Sequence, residues 1–229
     1  VGKRKNHGMT ITPSLCLIHG WAANGRIFDE LTRHLPDTWQ HHAPHLAGHG
    51  GTAPMRPHFS VSAAADQIAA TLDDAPVHLF GWSLGGLVSL FLAAQHPHKV
   101  KSLTLCSTFA RFDAAPDYPE GVQQSVLDKM LTLFQQDYPK HMKQFLQLQL
   151  LHTPEREQIL ANVLPDMLRH GTPQALDDAL AAVRRADARA FLPRIRVPVL
   201  LLWGGRDNVT PPRMGCILYT SPSPRDLST

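Results

Sequence analysis

Residues 81–85 read Gly81-Trp82-Ser83-Leu84-Gly85, and this pentapeptide constrains the fold more than any other stretch of the chain. A short apolar run, 77–80, leads into it, and an Ala/Leu-rich segment, 86–94, leads out. G-x-S-x-G between a strand and a helix predicts a sharp turn that lifts the serine above the end of a sheet. The glycines let backbones approach closely there, and the turn strains the serine. The helix that follows offers free N–H groups to a developing oxyanion. The bare pentapeptide also recurs as a structural Gly/Ser turn. Its context here favours a nucleophile.

The 229 residues, 43% of them hydrophobic, suffice for one domain with an inserted subdomain. Charged residues make up 18% and the net charge is +3, which argues against a disordered or nucleic-acid-binding chain. The densest basic run, Lys3-Arg4-Lys5, reads as a solvated end. Cys16, Cys106 and Cys216 make no disulfide framework; Cys16 and Cys106 read as buried thiols. No run is long and apolar enough to span a membrane, and residues 1–20 lack a signal-peptide core. A cytoplasmic monomer without cofactor, metal or nucleic-acid partner is expected. Met9 is a candidate start.

Along the chain, 14–18 and 77–80 read as strands, as do 100–106 and 196–203. Helical spacing runs through Ile27, Phe28, Leu31 and Leu35 until Pro36, and residues 61–72 predict a helix capped by Ser60 or Ser62. Strands alternating with helices predict an α/β fold with a mostly parallel sheet and helices on both faces. From about 120 to 190 the alternation stops. Four helical patterns follow in a row, on Val126–Phe134, Met142–Gln149, Ile159–Met167 and Leu176–Val183. They predict a helical cap over 113–192, between core segments 9–112 and 193–214.

Ester hydrolysis by serine needs a nucleophile, a base, an acid that orients the base, and oxyanion donors. Ser83 is the candidate nucleophile. Asp207, in the turn Gly204-Gly205-Arg206-Asp207 after a strand, is the candidate acid, in the chain order Ser…Asp…His. An Asp in such a turn also serves as an Asx cap. The N–H groups of Leu84 and Trp21 are the candidate oxyanion donors. The base is the difficulty, because residues 208–229 hold no histidine. His41, His42, His45 and His49 cluster in sequence without metal-ligand spacing and read as solvated loop residues. His19 reads as structural. From about Gly215 the Ser/Pro-rich end loses periodicity, so 215–229 reads as a tail foreign to a domain cut short.

The elbow, the early Leu17-Ile18-His19-Gly20-Trp21-Ala22-Ala23-Asn24 and the segment Phe145-Leu146-Gln147-Leu148-Gln149 together resemble one family. It is the pimeloyl-acyl-carrier-protein methyl ester esterases of biotin synthesis, within the α/β-hydrolase fold. The resemblance runs from about Ser14 to Met214 and includes Trp203-Gly204-Gly205-Arg206-Asp207. It implies a substrate site lined by Trp21, Ser83, Leu84, Phe145, Leu146, Gln147, Leu148 and Gln149. It also implies an acidic acyl carrier protein as partner, met by basic residues for which Lys140, Lys143 and Arg156 are candidates. Two departures stand out: His45-Leu46-Ala47-Gly48-His49-Gly50 replaces the family's Asp-x-Pro-Gly-x-Gly loop, and its catalytic histidine has no counterpart. Another short-acyl esterase or thioesterase of this superfamily, or a non-catalytic acyl-binding fragment, remains as an alternative.

Overall fold

Among the described residues, five short strands pair in parallel in the order β2-β1-β3-β4-β5. They are β1 (Ser14–Ile18), β2 (Gln40–His42), β3 (Val77–Trp82), β4 (Val100–Cys106) and β5 (Val199–Leu202). The structure, a computed structural model, describes residues 12–171 and 173–220. The Lys3-Arg4-Lys5 run, the candidate start at Met9 and residues 221–229 lie outside the described residues.

The register aligns the strand ends. Ile18 lies beside Gly81, Trp82 beside Cys106, and Cys106 beside Leu202. Loops after β1, β3, β4 and β5 therefore leave from one edge. Strand order reverses between β1 and β3, the point where open parallel sheets form a ligand crevice beyond the strand ends.

Two helices follow the expected pattern. α2 (Val61–Thr71) starts at Ser60, whose hydroxyl accepts from the Ala63 N–H at 3.3 Å. α3 (Leu84–Gln95) is buried over most of its length, so it lacks a polar face, and it packs against β1, β3 and β4. The helix expected from Ile27 to Leu35 is shorter. A 3₁₀ turn at Gly25–Phe28, capped by the Asn24 side chain on the Arg26 N–H, leads into the four-residue α1 (Asp29–Thr32). β2 has no signal in its sequence. It is three exposed polar residues, Gln40-His41-His42, and its extended form comes from pairing with β1.

Between β4 and β5 run four consecutive helices: α4 (Gln124–Gln136), α5 (Tyr138–Gln149), α6 (Arg156–His170) and α7 (Pro173–Arg185). The outgoing and returning chain meet, the Ala188 N–H donating to the Ala110 carbonyl at 2.7 Å. Leu127, Ala179, Leu180 and Val183 from α4 and α7 join the main core with the sheet, α2 and α3. Phe134, Met142, Leu146, Leu160, Met167 and Leu176 form a second apolar cluster with Ala22, and Trp21 packs against both. Past Pro211 the chain stays on the body. Met214 is buried, its carbonyl accepts from Tyr118 Oη at 2.7 Å, and the short α8 (Cys216–Thr220) follows. Helical structure thus continues beyond the point where periodicity fades from the sequence.

Candidate active site

Ser83 begins α3 with φ 53° and ψ −116°, a left-handed conformation that costs a non-glycine residue strain. The end of β4 holds it there. The Ser83 N–H donates to the Cys106 carbonyl at 3.0 Å, and Thr108 Oγ1 donates to the Ser83 carbonyl at 2.6 Å. Gly81 is required by crowding, since a Cβ there would lie 2.5 Å from Ser89 Oγ. Leu84, the first residue of α3, has an N–H without an intrahelical acceptor. The loop after β1 passes close by. A Cβ on Gly20 would sit 3.3 Å from Ser83 Cβ, so Trp21 follows directly beside the serine.

Asp207 stands beyond the end of β5. Its Oδ1 accepts from the Val209 and Thr210 N–H groups at 2.9 and 2.8 Å, and its Oδ2 from Thr210 Oγ1 at 3.0 Å. The Asx arrangement and an outward-facing carboxylate coexist, because these bonds orient the group.

Ser83 and Asp207 line one cavity of about 680 Å³. Trp21, Trp82, Phe145 and Leu150 supply apolar wall; Gln149, His152, Thr153, Arg206 and Thr210 supply polar wall. Among the residues expected at a substrate site, Trp21, Ser83, Phe145 and Gln149 face this cavity. Leu84 is buried beneath it, and Leu146 is buried in the second apolar cluster. Gln147 lines a separate small cavity with Arg156, and Leu148 is largely exposed. A helix cannot aim five consecutive residues at one space. Lys140, Lys143 and Arg156 are exposed, and Arg156 Nε lies 3.2 Å from Glu157 Oε1.

Several cavity residues went unnoticed in the sequence: Trp82, Ser107, His152, Thr153, Arg206 and Thr210. The Asp207-to-Thr210 spacing was a readable turn signal. Ser107, at φ 44°, and His152 carried none.

The histidines divide differently from expectation. His49 is buried, not solvated. Its ring packs 5.3 Å from that of His19, and burial pulls its pKa down to about 4. Its Nδ1 donates to the Ala47 carbonyl, and its Nε2 is buried without a partner. His45 Nδ1 donates to the Gly50 carbonyl at 3.1 Å, which closes the loop that departs from the family pattern. His19 is a strut: Nδ1 donates to the Gly20 carbonyl and Nε2 accepts from the Leu46 N–H at 3.0 Å. Burial holds it well below the usual histidine range, and with both nitrogens engaged it cannot serve Ser83 as a base. Among the described residues no group of three or more His, Cys, Asp or Glu is placed to hold a metal, and no helix is long and apolar enough to cross a membrane. Cys16 is a buried free thiol pushed up to about 12, whereas Cys106 is only partly buried.

A strained serine between a parallel strand and a helix, with a carboxylate at the end of a later strand, defines an α/β hydrolase. The sequence pattern of the alpha/beta hydrolase fold family matches residues 13–224. The esterase EaEST from Exiguobacterium antarcticum superposes with a TM-score of 0.80 at 23% identity, over 90% of this chain and 78% of that one. The pimeloyl-[acyl-carrier protein] methyl ester esterase of Neisseria meningitidis serogroup B (strain H44/76) is 57% identical over 203 residues, 89% of this chain and 78% of that protein. The Chromobacterium violaceum protein of the same name is 35% identical over 87% of this chain and 78% of its own length. The chain belongs to the pimeloyl-[acyl-carrier protein] methyl ester esterase family, whose members are carboxylic ester hydrolases.

Proposed function

We propose that this chain carries the site that hydrolyses the methyl ester of a pimeloyl group on acyl carrier protein, a cytoplasmic step of biotin synthesis. The observation that carries the reading is the shared cavity: Ser83 and Asp207 both open into it beneath an apolar wall of Trp21, Trp82 and Phe145. A methyl ester at the end of an apolar acyl chain matches that division.

In the proposed reaction Ser83 Oγ attacks the ester carbonyl while a base takes its proton. The N–H groups of Leu84 and Trp21 hold the oxyanion. Collapse expels methoxide, which takes that proton and leaves as methanol; water then cleaves the acyl-serine to release the acid. Asp207 orients and stabilises the protonated base. The family resemblance calls for a histidine some 25–30 residues beyond Asp207, a position outside these 229 residues. His152 lines the cavity with Ser83 and Asp207, which makes it the candidate for residual base function in the 229-residue chain.

The test compares the 229-residue chain with a chimera joined after Met214 to the C-terminal segment of the Neisseria relative. Loss of a triad member costs about 10⁴–10⁶ in rate, so the chimera should exceed the 229-residue chain by that order on p-nitrophenyl butyrate. Ser83→Ala should abolish turnover in both. Turnover by the 229-residue chain equal to that of the chimera, and lost in His152→Ala, would transfer the base to His152. A chimera active on p-nitrophenyl butyrate but not on the carrier-bound methyl ester would assign the site to another short-acyl ester or thioester.

A further inference from the structure

The turn that carries Trp21 is gripped from the helical segment at two points. At the first, Trp21 Nε1 donates to the Leu176 carbonyl of α7 at 2.8 Å. The same ring meets Phe134 of α4 and Phe145 of α5 edge-on, with centroids 5.4 and 5.7 Å apart. At the second, Asp166 of α6 takes one donor on each oxygen. Asn24 Nδ2 donates to Oδ2, and Arg26 Nη1 donates to Oδ1 at 2.5 Å.

Asn24 joins this grip to the backbone. It is 3% exposed, and its own Oδ1 accepts from the Arg26 N–H at 2.9 Å. Residues 24–26 are thus closed into a turn whose outward donors converge on a single carboxylate. Burial pushes the Asp166 carboxyl up, but the hydrogen bonds from Asn24 and Arg26, with the charges of Arg26 and His170, outweigh it and hold the group below the ordinary range. His170 stands one turn on along α6, its Nε2 3.6 Å from Oδ1.

An oxyanion donor is useful only if its N–H stays fixed while charge develops on the substrate. Leu84 is fixed by being the first residue of a buried helix. Trp21 sits in a loop, and the sheet alone does not fix a loop. We infer that Asp166 is a positioning residue: by clasping Asn24 and Arg26 it holds the Trp21 N–H beside Ser83, and so makes the donor geometry depend on α6. The clasp is independent of the base, but its catalytic consequence rests on the reading of Trp21 as an oxyanion donor.

The experiment uses the 229-residue chain and two readouts. The first is the Trp21 backbone amide cross-peak in ¹⁵N–¹H spectra. The second is turnover of p-nitrophenyl butyrate in a His152→Ala background, which removes the candidate base and so reports chiefly the oxyanion hole and binding. The variants are Asp166→Asn, Asp166→Glu and Arg26→Gln, with Asp177→Asn as control; the control removes a carboxylate of the same helical segment that bonds Gln135. Arg26 is 54% exposed, so Arg26→Gln probes the clasp even if Asp166→Asn does not fold. In Asp166→Asn and Arg26→Gln the Trp21 cross-peak should move or broaden, and kcat should fall about tenfold with KM unchanged. Asp166→Glu should restore part of both, and Asp177→Asn should alter neither. An unmoved Trp21 cross-peak in folded Asp166→Asn and Arg26→Gln would overturn the inference. A displaced cross-peak with unchanged kcat would uphold the clasp and overturn Trp21 as an oxyanion donor.

Discussion

Gly85 crosses Ile18 so closely that a Cβ on Gly85 would lie 1.9 Å from the Ile18 carbonyl oxygen and 2.7 Å from that of His19. The first turn of α3 rests directly on the end of β1. This contact brings the β1 loop beside Ser83. Gly85→Ala must push the two elements apart, and the clash is with backbone, which cannot rotate away. We expect a loss of several kcal/mol in stability, within the range of severe core overpacking. Urea denaturation checks it; an unchanged midpoint would show that α3 can slide on β1.

Phe145 and Leu146 are neighbours on α5 with different surroundings. Phe145 faces the cavity, and Leu146 is buried among Phe134, Met142 and Leu160. Phe145→Ala should weaken binding of a free methyl ester such as dimethyl pimelate by about 1–3 kcal/mol, measured by calorimetry in a Ser83→Ala background. Leu146→Ala should instead cost about 2–5 kcal/mol of stability and leave binding in the folded fraction nearly unchanged. Equal binding losses would show that the cavity wall and the second core act as one unit.

Lys140 and Lys143 are exposed on α5, ahead of Phe145. Lys140→Glu or Lys143→Glu should slow hydrolysis of a carrier-bound ester more than that of a free small ester. The difference should grow at low ionic strength, where charge steering reaches furthest. Stopped-flow rates of the chimera at two salt concentrations check this. Identical effects on both substrates would remove these lysines from carrier docking.

The buried imidazoles make stability depend on pH. Folded His49 titrates at about 4, whereas a free histidine titrates near 6.5. Between those values the unfolded chain binds the extra proton. The contribution of neutral His49 is therefore complete above about pH 6.5 and is lost as pH falls toward 4, at a slope approaching 1.4 kcal/mol per unit. His19 is shifted the same way by its burial and adds to the slope. Thermal midpoints across this range should fall more steeply for the native chain than for His49→Gln. Parallel curves would place the acid sensitivity elsewhere.

The elbow was legible because its chemistry is local. Two glycines, a serine and flanking apolar runs specify strand, turn and helix within a dozen residues. β1, β4 and the four helices of the inserted segment were legible for a similar reason, since apolar spacing records which face each element buries. Asp207 was legible from a turn after a strand. β2 was not, because three exposed polar residues carry no pattern and take their form from β1. The division of residues 145–149 between cavity, core and solvent was also hidden. It depends on how α5 is rotated against α4 and α6, a matter of packing. The burial of His49, the entry of His152 into the cavity and the clasp of Asp166 on Asn24 and Arg26 join residues far apart in the chain. The sequence by itself determined most of the elements, those whose apolar spacing records a buried face, and the chemistry available at the ends of β3 and β5. The tertiary structure alone decided which of those groups meet, because contacts across 140 residues are fixed by the register of the sheet and the seating of helices on it.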